Sequence, residues 1–182
     1  MRICVFCASA EGLAEKYVEA ARAVGCQIGE RGHELVFGGY ETGTMGVVAR
    51  SAKAAGARVT GVLPCKSGEL PGRPEFACDA LVEAADLNDR KVQMMCLADA
   101  FVVLPGSYGT LDEFYTVISN QKLFGKDGAR KPVAVLDVDG FYAPLAQLDR
   151  RMIADGFMHP GVASLYRVFS QVDGLMDYLE QE

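Results

Sequence analysis

Short apolar runs alternate with segments of helical periodicity along the whole chain, and this alternation limits the possible folds more than any other feature. Strand-length apolar runs, the last one weaker, occur at residues 2–7, 33–39, 58–64, 78–84, 100–106, 131–138 and 166–172. Apolar residues with helical spacing follow the first run: Leu13, Tyr17, Ala20, Ala21, Val24 and Ile28. Gly32 is a plausible end of that helix. Continuous apolar strands that alternate with helices are typical of a parallel sheet covered on both faces. We therefore expect an α/β, doubly wound, Rossmann-like fold with a mostly parallel sheet of about seven strands.

Length and charge limit the classes of function. With 182 residues, of which 50% are hydrophobic, residues 1–182 are expected to form a single domain. The net charge of −6 and the lack of a basic run argue against nucleic-acid binding, which depends on neutralising phosphates. No apolar stretch reaches the ~20 residues of a membrane-spanning helix, and no signal peptide is recognisable. A cytoplasmic protein without membrane contact is expected.

The cysteines and histidines do not favour a metal site. The six cysteines are at positions 4, 7, 26, 65, 78 and 96, and without an export signal we expect them to be reduced. Cys4 and Cys7 have the spacing of redox and metal motifs. On a strand, however, residues three apart point to opposite faces and cannot converge on one ion. Since His33 and His159 are the only histidines, we expect no metal.

Two glycine-rich loops follow predicted strands and precede predicted helices. They read FGGYETGTMG at 37–46 and PGSYGT at 105–110. Either loop alone is explained by a tight turn. Two such loops at the same edge of a parallel sheet favour phosphate binding, because helix N-termini there present unpaired N–H groups. No GxGxxG follows the first strand and no GxxxxGK[ST] occurs, so a mononucleotide with one phosphate is favoured over a dinucleotide or a triphosphate.

Charged residues beside these loops have two interpretations. Thr110 and Glu113 match the S/T-x-x-E capping box, and Asp112 would favourably occupy the first turn of a helix. Arg90 and Lys91, however, lie near the start of another helix at the same sheet edge, where the helix dipole disfavours cations. A bound anion or a carboxylate partner would remove that conflict. The local sequence alone favours capping.

The segment NDRKVQMMCLADAFVVLPGSYGTLDE resembles the Lonely Guy family of cytokinin-activating nucleotide phosphoribohydrolases, often labelled possible lysine decarboxylases. The family's paired motifs are RKxxM and PGGxGTxxE. VFCAS, FGGYETGTMG and KPVAVLDVDGFYAPL extend the resemblance over nearly the whole chain. It implies a Rossmann-like nucleotide-binding fold, a homodimer, no cofactor, and hydrolysis of a nucleoside 5′-monophosphate, AMP or N6-modified AMP, to base and ribose 5-phosphate. Nothing in these motifs supplies a pyridoxal phosphate site for lysine decarboxylation.

The resemblance also implies a set of site residues. The family's essential motif residues fall on Arg90 and Glu113. A carboxylate beside the sugar would stabilise the positive charge that develops on ribose and would orient or deprotonate water. Arg90 stays protonated, so it would position Glu113 or hold the phosphate or the base. The expected substrate-binding residues are Ser9, Gly39, Thr44, Met45, Gly46, Lys91, Met94, Gly106, Ser107, Tyr108, Gly109, Thr110 and Asp112.

Two residues depart from the family pattern. Ser107 stands where most members have glycine, and it would cost about 1–2 kcal/mol if that position needed a positive φ; alternatively its hydroxyl adds a phosphate donor. Tyr40 replaces a glycine of the earlier loop and is expected to alter base specificity or close the site. These departures leave open a non-hydrolytic nucleotide or molybdenum-cofactor carrier on the same fold, or a nucleotide-sensing subunit. The presence of both Arg90 and Glu113 favours the enzyme.

Overall fold

Among the residues that the structure describes, seven parallel strands form one sheet, as the alternating pattern predicts. The computed structural model describes residues 1–64, 73–124 and 130–181, so Cys65 lies outside the described residues. The strands are β1 (Arg2–Phe6), β2 (Glu34–Phe37), β3 (Val59–Pro64), β4 (Ala80–Ala84), β5 (Ala100–Val103), β6 (Val133–Leu136) and β7 (Arg167–Phe169). Every neighbouring pair in the order β4-β3-β2-β1-β5-β6-β7 is parallel. The expected fold class is confirmed, and each strand lies within its predicted run.

In the described part of the chain, six α-helices cover the two faces of this sheet. They are α1 (Glu15–Glu30), α2 (Gly43–Ala54), α3 (Leu87–Leu97), α4 (Tyr108–Phe124), α5 (Ala143–Ala154) and α6 (Val172–Gln181), with a 3₁₀ helix at Pro160–Leu165. Buried residues of α1, α2 and α6 form one core cluster with one face of the sheet. Residues of α3 and α4 form the other cluster with the opposite face. No described helix is long and apolar enough to cross a membrane.

The first strand and the first helix confirm two details of the sequence analysis. Cys7 packs in the α1 cluster and Cys4 in the opposite one, so the two thiols point away from each other. Burial raises the pKa of both thiols, which disfavours the thiolate. Gly32 follows α1 with φ of +73°, a conformation that favours glycine.

The closest helix packing involves α1 and α2. A Cβ on Gly25 would lie 2.5 Å from the carbonyl oxygen of Val48 and 2.8 Å from the Cβ of Ser51. Because atoms of α2 already fill this space, the two helices can approach this closely only if α1 has no side chain at this position. This packing fixes the direction of α2, which starts directly from the first glycine-rich loop.

Gly25→Ala should therefore destabilise the protein, by about 1–3 kcal/mol from overpacking, although alanine is the better helix former. Gly174→Ala in α6 is the matched control, because the nearest atom to its new Cβ, Phe169 Cδ1, lies 3.9 Å away. That control should gain about 0.4–1 kcal/mol. Urea denaturation followed by circular dichroism measures both changes, and a Gly25→Ala protein as stable as wild type would contradict the packing described above.

Candidate active site

The carboxyl ends of β1 and β5 border a cavity at the point where the strand order reverses. From β1 the chain continues outward through β2, β3 and β4, then crosses to β5 on the other side of β1. The loops that leave neighbouring strands there diverge and open a crevice. The lining residues come from β1, from these loops and from α2, α3 and α4: Val5, Cys7, Ala8, Ser9, Gly38, Tyr40, Met45, Arg73, Leu87, Arg90, Met94, Ser107, Gly109, Thr110 and Glu113.

Two buried threonine hydroxyls fix the helices α2 and α4 to the end of β1. Thr44 Oγ1 accepts a hydrogen bond from the N–H of Ala8 at 3.0 Å. Thr110 Oγ1 donates to the carbonyl oxygen of Cys7 at 3.1 Å. The first turns of the two helices therefore bond to adjacent residues of the first loop, Ala8 and Cys7, and this brings both glycine-rich loops to one place.

The start of α4 leaves backbone N–H groups unpaired beside the cavity. The helix begins at Tyr108, and its first bond runs from Leu111 N–H to the Ser107 carbonyl oxygen at 3.0 Å. The N–H groups before Leu111 have no acceptor within the helix. Ser107 and Gly109 line the cavity, and Ser107 does not have a positive φ. The strain considered for serine at this position does not arise.

Arg90 joins three separate elements beneath the cavity. Its Nε donates to the carbonyl oxygen of Val62 in β3 at 2.9 Å, and Nη2 donates to the carbonyl oxygen of Gly38 after β2 at 3.0 Å. Nη1 donates to Oε1 of Glu113 in α4 at 3.0 Å. The Asp86 side chain caps α3 by accepting from the N–H groups of Asn88 and Asp89, so the helix that carries Arg90 has a fixed start.

Gly38 leaves the space that the guanidinium occupies. A Cβ at this residue would lie 2.1 Å from Arg90 Nη2 and 2.8 Å from the Met45 sulfur. The sequence analysis selected the neighbouring Gly39 instead. Gly39 has φ of +81° and faces Leu63, so it shapes the turn. The sequence FGG does not show which glycine leaves room for a side chain and which one shapes the turn. The side chain that needs the room is that of Arg90, which belongs to a different part of the chain, α3.

Glu113 does not form a capping box. Thr110 lies inside α4 and its hydroxyl bonds to Cys7, while Glu113 Oε1 accepts from Arg90. The capping interpretation is therefore wrong, and the carboxylate partner expected for Arg90 is present. Both side chains of the Arg90–Glu113 pair are 12% exposed. Among the described residues, Glu113 Oε2 has no hydrogen-bond partner and is available to a ligand.

Burial governs the protonation of Glu113. Loss of solvent raises its pKa to about 7, and the Asp112 carboxylate acts in the same direction, while the guanidinium of Arg90 lowers it. A carboxyl group that exchanges its proton near neutral pH inside a cavity is suited to acid–base chemistry.

Not every expected site residue lines the cavity. Eight do: Ser9, Met45, Arg90, Met94, Ser107, Gly109, Thr110 and Glu113. The others lie beside them and shape or flank the loops: Gly39, Thr44, Gly46, Lys91, Gly106, Tyr108 and Asp112. Gly106, for example, has no room for a Cβ, which would lie 2.1 Å from Thr110 Oγ1. Lys91 Nζ donates to both carboxylate oxygens of Asp112, at 2.8 and 2.9 Å.

Arg73 and Leu87 line the cavity but were not identified from the sequence. Arg73 belongs to no motif, and Leu87 opens α3 without a distinguishing pattern. Tyr40 departs from the family pattern, and from the sequence we expected it to alter base specificity or close the site. Its ring packs in the α1 core cluster and forms one wall, so the cavity remains open beside it.

The chain matches known families and structures over most of its length. The family described as "Possible lysine decarboxylase" matches residues 45–179. The protein named cytokinin riboside 5′-monophosphate phosphoribohydrolase LOG from Oryza sativa subsp. japonica is 39% identical over 86% of this chain and 63% of its own length. The chain therefore spans less than two thirds of that rice relative. The Arabidopsis thaliana phosphoribohydrolase LOG7 is 40% identical over 87% of this chain and 71% of its own.

Solved structures with the same fold include molybdenum-cofactor proteins. The molybdenum cofactor carrier protein of Chlamydomonas reinhardtii has a TM-score of 0.68 at 25% identity, with 99% of this chain and 96% of that chain covered. The molybdenum cofactor binding protein of Rippkaea orientalis has a TM-score of 0.71 at 20% identity, with 99% and 95% covered. The second likeness shows the fold alone.

The elevated pKa of Glu113 can be tested directly. Carboxyl ¹³C NMR of glutamate-labelled protein should show one glutamate that titrates near pH 7. In Arg90→Gln the titration should move to higher pH, because the guanidinium that lowers the pKa is removed while burial remains. Glu180, whose pKa is lowered by His33 and Arg31, serves as the internal control and should not change. A Glu113 that titrates near 4.5 in the wild type would refute the description of this site.

Proposed function

The chain belongs to the family described as possible lysine decarboxylases and is similar to proteins named phosphoribohydrolases, and we propose that it is an N-glycosyl hydrolase of nucleoside 5′-monophosphates. The substrate is AMP or an N6-modified AMP, and the products are the free base and ribose 5-phosphate. The observation that carries this proposal is the largely buried Arg90–Glu113 pair, which lies one helical turn from the start of α4. Residues 1–182 act as one nucleotide-binding domain, which we place in the cytoplasm.

The spacing within α4 suits a ribose phosphate. Gly109 and Glu113 are four residues apart and so lie on one face of the helix, ~5–6 Å from each other along its axis. The phosphorus and C1′ of ribose 5-phosphate are separated by a comparable distance. A phosphate held by the free N–H groups of the first turn, with help from the Ser107 hydroxyl, would therefore place C1′ beside Glu113.

The proposed reaction needs an ionised carboxylate at C1′. As the bond between C1′ and the base nitrogen breaks, its electron pair leaves with the base and positive charge develops on the sugar. Glu113 stabilises that charge, and Oε2 accepts a hydrogen bond from the water whose oxygen bonds to C1′. The proton released by the water passes to the carboxylate, and the departing base takes up a proton from solvent. Arg90 holds Oε1 and thereby fixes the direction of Oε2.

Glu113→Gln keeps the size of the side chain and removes its charge, so turnover should fall at least about 100-fold. The affinity for AMP and the free energy of unfolding should change little. The assay is release of ribose 5-phosphate from AMP and from N6-isopentenyl AMP. In the wild type, kcat/KM should rise with pH through about 7, because Glu113 is protonated below its pKa.

Glu180→Gln is the matched control, since Glu180 also pairs with an arginine, Arg31, but lies away from the cavity. It should retain wild-type turnover. Gly38→Ala should lose activity in the same way as Arg90→Ala, because the new methyl group displaces the guanidinium. Tight nucleotide binding without ribose 5-phosphate release would instead favour a non-hydrolytic nucleotide or molybdenum-cofactor carrier.

We also propose a homodimer, formed by the sheet face that α3, α4 and α5 cover. Val92, Leu123 and Leu148 are exposed on these three helices. Apolar side chains on successive helices of one face are suited to an interface between copies. The negative net charge gives no support for a nucleic-acid partner.

Leu123→Glu should shift the protein toward a monomer, because the charge would have to be buried in the interface. Light scattering coupled to size-exclusion chromatography measures the mass. Val168→Glu on β7 is the control, since Val168 is 47% exposed but lies on no helix of this face. A wild-type mass of one chain at micromolar concentration would refute the dimer.

A further inference from the structure

A second ion pair lies directly beside the Arg90–Glu113 pair. Lys91 follows Arg90 in α3, and Asp112 precedes Glu113 in α4. Lys91 Nζ donates to the two carboxylate oxygens of Asp112 at 2.9 and 2.8 Å, while Arg90 Nη1 donates to Glu113 Oε1 at 3.0 Å. Two consecutive cations of one helix therefore meet two consecutive carboxylates of the other.

Neither stability nor contact with a ligand explains the Lys91–Asp112 pair. The Lys91 side chain is only 16% exposed, whereas that of Asp112 is 60% exposed. An ion pair with one member largely in water contributes little to the free energy of unfolding. Neither residue lines the cavity. What distinguishes the pair is its position, one residue along each helix from Arg90 and from the carboxylate that is proposed to react.

The two charges of this pair act on Glu113 in opposite directions. Burial has the largest effect on the pKa of Glu113 and raises it, and the guanidinium of Arg90 lowers it. After these two effects, the Asp112 carboxylate raises the pKa and the Lys91 ammonium lowers it. The intact pair therefore has compensating effects on the ionisation of Glu113, whereas the loss of either charge leaves the other unopposed.

The other titratable groups around Glu113 keep their charge state near neutral pH. Cys4 and Cys7, in β1 and directly after it, interact with the charge of Glu113, and burial raises the pKa of both thiols, so they stay neutral. Burial also raises the pKa of the Tyr40 phenol, which keeps its proton. Arg73 lines the cavity and stays charged, as arginines in proteins do. Among the described residues around the cavity, proton exchange near neutral pH therefore falls on Glu113.

We propose that Lys91 and Asp112 are positioning residues for Glu113: they join α3 to α4 beside the cavity, and their paired charges set the pH range in which Glu113 is ionised for the reaction. This inference rests on the proposed function. Glu113 must be ionised to stabilise positive charge on the sugar. An unopposed Asp112 therefore shifts the onset of activity to higher pH, and an unopposed Lys91 shifts it to lower pH. The sequence analysis placed Lys91 among the substrate-binding residues, whereas here it acts through Glu113.

The pH dependence of kcat/KM for AMP and N6-isopentenyl AMP tests the role of this pair. Lys91→Met should raise the midpoint of the pH profile by about half a pH unit, and Asp112→Asn should lower it by a similar amount. The double variant, which removes both charges, should return the midpoint to near its wild-type value. Lys91→Arg, which keeps the charge, should not move it. In each variant kcat/KM at high pH should change little, and a loss of packing alone would not shift the two profiles in opposite directions.

Lys53→Met and Asp79→Asn are the matched controls. Lys53 and Asp79 form the same kind of ion pair, with Nζ and Oδ1 3.0 Å apart. This pair lies beside the amino ends of β3 and β4, on the opposite edge of the sheet from the cavity. Both control variants should leave the midpoint of the pH profile unchanged.

Carboxyl ¹³C NMR of unliganded, glutamate-labelled protein separates this inference from the proposed function, because it needs no turnover. A Glu113 titration that moves up in Lys91→Met and down in Asp112→Asn would support the inference even if the wild type hydrolysed no nucleotide. A titration that stays unchanged, or moves in the same direction in both variants, would overturn it. Lys91→Gln and Asp112→Ser, which remove the same charges, take the place of any variant that circular dichroism shows to be unfolded.

Calorimetric binding of AMP tests the competing role of Lys91 as a ligand of the substrate. In the Glu113→Gln background, adding Lys91→Met should leave the affinity for AMP nearly unchanged. A loss of affinity of about tenfold or more would overturn the inference, because Lys91 would then bind the substrate directly.

Discussion

The guanidinium of Arg90 is the interaction on which the site depends. Its three hydrogen bonds reach Val62, Gly38 and Glu113, which belong to β3, to the loop after β2 and to α4. Two of the acceptors are backbone carbonyl oxygens, so the position of Arg90 is set by the sheet itself. The orientation of Glu113 follows from that position. The carboxylate is thus placed by the central strands even though it belongs to a helix.

Two opposing effects give Glu113 its character. Removal from water favours the protonated carboxyl, while the charge of Arg90 favours the carboxylate. Burial has the larger effect, so the group is neither a permanently charged partner in an ion pair nor an ordinary protonated acid. Burial makes it costly to keep the Arg90–Glu113 pair ionised. Burial also excludes water, which would weaken the electrostatic interaction of the carboxylate with a nearby charge. A carboxylate that is shielded from water would strongly stabilise positive charge on a sugar, as the proposed reaction requires.

The sequence predicts the fold and the contact between Arg90 and Glu113 better than the residues that line the cavity around them. The strands follow from apolar runs, because a parallel sheet covered on both faces needs them, and Arg90 and Glu113 follow from paired motifs. The capping box was a wrong prediction, because local spacing does not reveal that Thr110 bonds to Cys7 or that Glu113 meets a residue of α3. Gly38 was missed for a related reason, since its role is defined by a contact with Arg90, a residue of a distant helix.

The strand order also determines when the site can form during folding. In the register of the sheet, Ile3 pairs with Leu35 on one side and with Ala100 on the other. The first contact closes a short stretch of chain, whereas the second must close a loop about three times longer, at a greater cost in conformational entropy. On a ribosome, β1, β2 and β3 emerge well before β5 and α4. The half of the site that holds Gly38 is therefore synthesised long before Glu113 arrives, and the cavity exists only once the second half of the chain has docked.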